Sequence, residues 1–111
     1  MGKPSRDKGA RRERQIVALH TELGVKAERV PLSGAAKFRN TGGSDVDVYP
    51  FGPDYVPIVT EVKARASGEG FVTLERWLGA NQALFLVRDR ADPLVVLPWE
   101  TWQSILLALK R

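Results

Sequence analysis

An α/β sandwich on a mixed sheet is the fold class this sequence predicts, with elements in the order α-β-β-β-α-β-β-α. Three observations predict it. Ile16, Leu19, His20 and Leu23 recur at the helical spacing i, i+3, i+4, i+7. Residues 44–64 hold two apolar runs of strand type on either side of a Pro- and Gly-containing turn. Residues 99–109 close the chain with an amphipathic helical pattern. A length of 111 residues with 43% apolar composition suits a single folded domain, expected to span residues 1–111.

The elements follow in order. Residues 1–6 are expected to form a flexible basic arm. Asp7 is an N-cap candidate for a helix running to Leu23, with Gly24 as its stop. Val25 to Leu32 reads as a strand, and "SGAAKFRNTGG" (33–43) as a loop. Ser44 to Tyr49 and Tyr55 to Ala64 form a hairpin-like pair around "PFGPD". Thr73 to Gly79 is a short helix expected to turn Leu74, Trp77 and Leu78 inward. Leu84 to Val87 and Leu94 to Leu97 are two further strands around "RDRADP", and Trp99 to Leu109 is the last helix.

Charge and composition restrict the chemistry. The net charge of +4 favours a polyanionic partner. Lys3, Arg6, Lys8, Arg11, Arg12 and Arg14 crowd the first fourteen residues, a pattern that reads as a solvated tail or as a phosphate-binding surface. No run approaches the roughly 20 apolar residues of a membrane span, and no signal-peptide core precedes the first helix, so a cytoplasmic protein without a membrane partner is expected. The absence of cysteine excludes disulfides, thiolate zinc sites and a cysteine nucleophile.

The carboxylates are the feature that needs a reason. Side chains two apart share a strand face, so Asp45 and Asp47 share one, and Glu61 and Lys63 share another opposite Val62. In antiparallel neighbours these groups would converge. Close carboxylates repel unless a cation lies between them, and a hard ion such as Mg²⁺ prefers such oxygen ligands. A lysine alongside can orient water or stabilise developing charge, which completes a set for phosphodiester hydrolysis. The same residues also read as a surface hairpin with solvated charges. Glu13 sits three residues before Ile16 and seven before His20, at one end of the apolar stripe. It reads either as a helix-terminal carboxylate near the favourable end of the dipole or as a third acid on the patch.

Taken together, "KGARRERQIVALHTELG", a strand, "VDV" and "TEVKAR" resemble the archaeal-type Holliday junction resolvases, a branch of the PD-(D/E)xK nuclease superfamily. The resemblance covers residues 8 to about 65 and implies a restriction-endonuclease-like fold, a central mixed β-sheet flanked by helices in a single nuclease domain. It implies Asp47 and Glu61 as metal ligands with the Val62 main-chain carbonyl, Lys63 as the catalytic lysine, and Glu13 as a helix carboxylate completing or supporting the site. Ser33 matches a loop serine near the scissile phosphate. Asp45 is left as the near neighbour of Asp47, solvated or bound through water. Lys8, Arg11, Arg12, Arg14, Lys37, Arg39 and Arg65 are the expected DNA contacts.

The function implied is a Mg²⁺-dependent, structure-selective endonuclease, with Mn²⁺ as a substitute ion, that resolves four-way junctions. It would act on branched DNA as a homodimer, in a bacterial, archaeal or phage-infected cell, and its compact size suits a phage enzyme. The alternatives are a nicking, repair or restriction-type nuclease of the same superfamily, and a non-catalytic DNA-binding module. Beyond residue 66 the resemblance fades, because "FVTLERWLGANQALF" leaves room for about two helical turns. His20 is expected at the core edge, Trp77, Trp99 and Trp102 in the core or a dimer interface, and Arg88 and Arg90 in a solvated turn.

Overall fold

The computed structural model describes residues 3–30 and 45–110. The chain's contacts fall into two compact units, Met1–Ala64 with Lys110 and Arg65–Leu109 with Arg111.

In the first unit, α1 (Lys3–Glu22) leads into β1 (Lys26–Arg29), β2 (Val46–Tyr49) and β3 (Ile58–Thr60). The helix begins four residues before the expected cap at Asp7, so residues 3–6 belong to α1 and not to an arm. Pro4 explains this: its fixed φ suits a first helical turn, where its missing N–H would have no partner anyway. The other end stops as expected. Gly24 takes φ 78°, the left-handed region that spares a Cβ clash, and its N–H donates to the Thr21 carbonyl at 2.9 Å. His20 is buried, and its Nδ1–H donates to the Ile16 carbonyl at 2.8 Å.

The sheet is antiparallel throughout, in the order β1-β2-β3. Its register pairs Arg29 with Val46, Ala27 with Val48, and Glu28 with Asp47. On the other side of β2, Val46 faces Thr60 and Asp47 faces Val59. Paired residues share a face, so Val46, Val48, Ala27 and Arg29 lie together. That face is the one toward α1, because Arg29 reaches Glu13 on the helix. Val46 and Val48 are fully buried there, and Val25 and Val30 extend the core. Burying one such side chain contributes about 1.5–3 kcal/mol. The opposite face carries Asp47, Glu28, Tyr49 and Lys26. There the Tyr49 hydroxyl donates to Glu28 Oε1 at 2.9 Å, and the Lys26 ammonium stands 4.7 Å from the Tyr49 ring centre.

The second unit holds α2 (Phe71–Leu78), β4 (Leu84–Leu86), β5 (Leu94–Val96) and α3 (Trp99–Leu109). β4 and β5 pair antiparallel, Phe85 opposite Val95. Arg90, in the connecting turn, has φ 61°. α3 starts after Pro98, whose carbonyl accepts the Thr101 N–H at 3.1 Å, and buries Leu106 completely. Trp77 is 55% exposed, which corrects its expected inward placement. Trp99 and Trp102 are half-buried, and Trp99 Nε1 donates to Gln103 Oε1 at 3.0 Å.

Among the described residues the mixed sheet is therefore replaced by two small antiparallel ones. Antiparallel neighbours can be joined by a hairpin, whereas a parallel pair needs a crossover. The expected strand 55–64 is also shorter, Ile58–Thr60. No helix of the described residues is long and apolar enough to cross a membrane.

Candidate active site

Asp45 stands where three strands meet. Its N–H donates to the Thr60 carbonyl at 2.8 Å, and its carbonyl accepts the Val30 N–H at 2.9 Å. Its side chain does something a strand residue does not ordinarily do. Oδ2 accepts the Val62 N–H at 2.7 Å. A neighbouring strand would supply a carbonyl to that donor, and a carboxylate supplies it here. The regular pairing of β3 has already ended at Thr60. The Thr60 hydroxyl adds a bond to the Val46 carbonyl at 2.6 Å, tightening the same corner.

Val62 lies between Glu61 and Lys63, so the Asp45 carboxylate rests against the Glu-x-Lys stretch. Glu61 and Lys63 meet at 3.4 Å between Oε2 and Nζ, with side chains 49% and 60% exposed. They share a side as the two-residue spacing predicts. Both are open to solvent and therefore accessible to a substrate.

Asp47 is placed differently. It lies in mid-strand, 5% exposed, opposite Val59 and not Glu61. Among the described residues no buried side-chain polar atom lacks a hydrogen-bond partner, so its carboxylate is already satisfied. Across from it, Glu28 is engaged by Tyr49.

Glu13 comes from α1 toward the same end of the sheet, but its contact is Arg29. The Arg29 Nε donates to Glu13 Oε1 at 2.9 Å. Glu13 does not join Asp45 and Glu61 in a cluster: among the described residues no three acidic or histidine side chains stand close enough to hold a metal between them.

Of the expected DNA contacts, Arg11, Arg12 and Arg14 are exposed on α1, where Arg11 and Arg14 lie one turn apart on one side. Arg12 donates to Gln15 Oε1 at 3.1 Å. Lys8 lies in α1, and Arg65 is exposed at the start of the second unit. Ser33, Lys37 and Arg39 lie outside the described residues.

One residue, Arg29, escapes the sequence reading, and Asp45 enters it only as the solvated or water-bound neighbour of Asp47. Val46-Asp47-Val48 matches a motif and so draws attention from Asp45, although the position nearer the strand start is the one that meets Glu-x-Lys. Arg29 gives a detectable signal: it shares strand parity with Ala27, so it places a cation on the apolar face.

The donors fit a hard cation. Asp45, Glu61 and the Val62 carbonyl offer only oxygen. Mg²⁺ keeps several waters and needs as few as one or two carboxylates, so two acids suffice.

A family model described as "Phage putative PDDEXK endonuclease" matches residues 4–110, across both units. No curated protein and no solved structure matches the chain.

Proposed function

Because the chain belongs to this phage PDDEXK endonuclease family and is thus a PD-(D/E)xK nuclease, we propose that it is a Mg²⁺-dependent DNA endonuclease selective for branched DNA. In this reading Asp45, and not Asp47, is the first metal-holding carboxylate. The observation that carries it is the 2.7 Å bond from Val62 N–H to Asp45 Oδ2, which holds one acid against the segment bearing Glu61 and Lys63.

Asp45, Glu61 and the Val62 carbonyl would hold the ion, which supplies Lewis-acid polarisation of the scissile phosphate. Lys63 positions the attacking water and offsets the negative charge that builds on phosphorus-bound oxygen. Its ammonium is already oriented by Glu61. Arg11, Arg12 and Arg14 bind the DNA backbone, and Ser33, Lys37 and Arg39 are proposed as further contacts to it. Asp47 holds the strand in place from within.

The substrate reading is a four-way junction cut by a homodimer, since two identical sites suit a two-fold symmetric substrate. It rests on the resemblance of residues 8–65. The family match says endonuclease and no more, which keeps a nicking, repair or restriction-type activity as the second reading. Cleavage of a labelled junction and a matched duplex, with Mg²⁺, with Mn²⁺ and with EDTA, separates these. Junction-only cutting with metal supports the first reading. Equal cutting of both DNAs supports the second. Binding without cutting under any divalent ion leaves a DNA-binding module.

A further inference from the structure

We propose that Arg29 is a positioning residue for the nuclease reaction, acting through Glu13. The inference rests on the reading above and adds to it two residues that it does not contain, Arg29 and the Glu13 that Arg29 fastens.

The contact is specific. Nε of Arg29 meets Oε1 of Glu13 at 2.9 Å, with side chains 36% and 19% exposed. Solvated pairs of this type contribute little to stability, so stability alone is a weak reason for it. Its location is more telling. Arg29 is the last residue of β1 and faces Val46. The next residue, Val30, donates its N–H to the Asp45 carbonyl at 2.9 Å. Two consecutive residues thus fasten both acids: Val30 holds the backbone of Asp45, and Arg29 holds the carboxylate of Glu13.

Glu13 needs such a hold. It projects from the end of the apolar stripe of α1, where a partly buried carboxylate is costly without a partner. Its long side chain would otherwise sample several rotamers. The Arg29 bond uses Oε1 and leaves Oε2 for a second partner. Arginine suits the task better than lysine because Nε sits in a rigid planar group and fixes direction as well as charge. Misplacing a reaction-centre group by about 1 Å can cost on the order of 100-fold in rate.

A plain staple between α1 and β1 would produce the same picture, so the test needs readouts that a staple would not move. The wild type, Arg29→Met, Arg29→Lys, Glu13→Gln and the Arg29→Met/Glu13→Gln double variant are compared. Steady-state cleavage gives kcat and KM, thermal melting gives stability, and ¹⁵N NMR of the metal-free protein reports the Arg29 Nε–H. We expect Arg29→Met to lower kcat about 10–100-fold with KM within about twofold. The double variant should be no slower than Glu13→Gln alone, because one residue acts through the other. The Nε–H resonance should be distinct in the wild type and collapse into the exposed arginine envelope in Glu13→Gln. Arg29→Lys should restore melting but only part of the rate, and it carries the comparison if Arg29→Met does not fold.

An active wild type with an unchanged Arg29→Met rate and a lowered melting point overturns the inference and leaves a staple. Fully additive losses overturn it, as does a rise in KM alone, which would make Arg29 a DNA contact. A wild type that cuts no DNA with any divalent ion overturns the nuclease reading itself, and this role with it, even if the Nε–H signal is intact.

Discussion

Asp45 and Asp47 differ by two positions and have the same chemistry, yet their surroundings differ. Asp45 meets the Glu-x-Lys backbone, and Asp47 is sealed in mid-strand. Asparagine in place of each separates the two. Asp45→Asn keeps an oxygen for the Val62 N–H but loses the charge, so cleavage should fall at least about 100-fold with melting nearly unchanged. Asp47→Asn should instead lower stability by about 1–3 kcal/mol, because a satisfied buried carboxylate is replaced by an amide with different bonding needs. Its cleavage rate in folded protein should stay within a few-fold. The reverse pattern in the paired assays would return the ligand role to Asp47. Lys63 is 60% exposed in its side chain, so Lys63→Ala should leave stability within about 0.5 kcal/mol while the rate falls about 100-fold or more.

At the scale of elements, the core of the first sheet depends on very few residues. Val46 and Val48 have no exposed surface to speak of. Val48→Ala removes two buried methyl groups and should cost about 2 kcal/mol, read as a lower midpoint in urea with an unchanged slope. The order of the eight elements was legible in the sequence because each obeys a simple period or a plain stop signal, as Gly24 does for α1. Three features were not legible. The helix start was hidden because Asp7 looks like a cap, although Pro4 already allows a turn before it. The end of β3 was hidden because "EVK" reads as strand, whereas the Val62 N–H goes to the Asp45 side chain, far back along the chain. The separation into two antiparallel sheets was hidden because strand pairing is a long-range choice that local pattern does not record. The Glu-x-Lys pair was visible from spacing alone. Which aspartate touches that stretch was not, because the Asp45 contact with Val62 depends on register.

For the whole molecule, the charge distribution makes a prediction that needs no knowledge of the cleavage site. In the proposed function the exposed arginines of α1 bind the DNA backbone, with release of counterions. Replacing Arg11 and Arg14 together by alanine should reduce the slope of log affinity against log salt by about 1.8, near 0.9 for each phosphate no longer neutralised. Fluorescence anisotropy of labelled DNA between low and moderate salt measures it, and an unchanged slope would remove α1 from the DNA-binding surface. Because none of the proposed ligands is cysteine or histidine, a zinc-selective chelator should not inhibit cleavage, whereas EDTA should abolish it and added Mg²⁺ restore it.

Glu13, Asp45, Glu61 and Lys63 all precede Arg65, where the second compact unit begins. Those four residues therefore travel in one uninterrupted stretch of gene. Phage genomes trade segments by recombination, and an exchange at the codons for Ala64 and Arg65 would pass on everything after Lys63 without parting one of the four from another. Lineages would then inherit these four residues together under differently worded second halves. Sequence drift should accordingly be slow before this junction and fast after it.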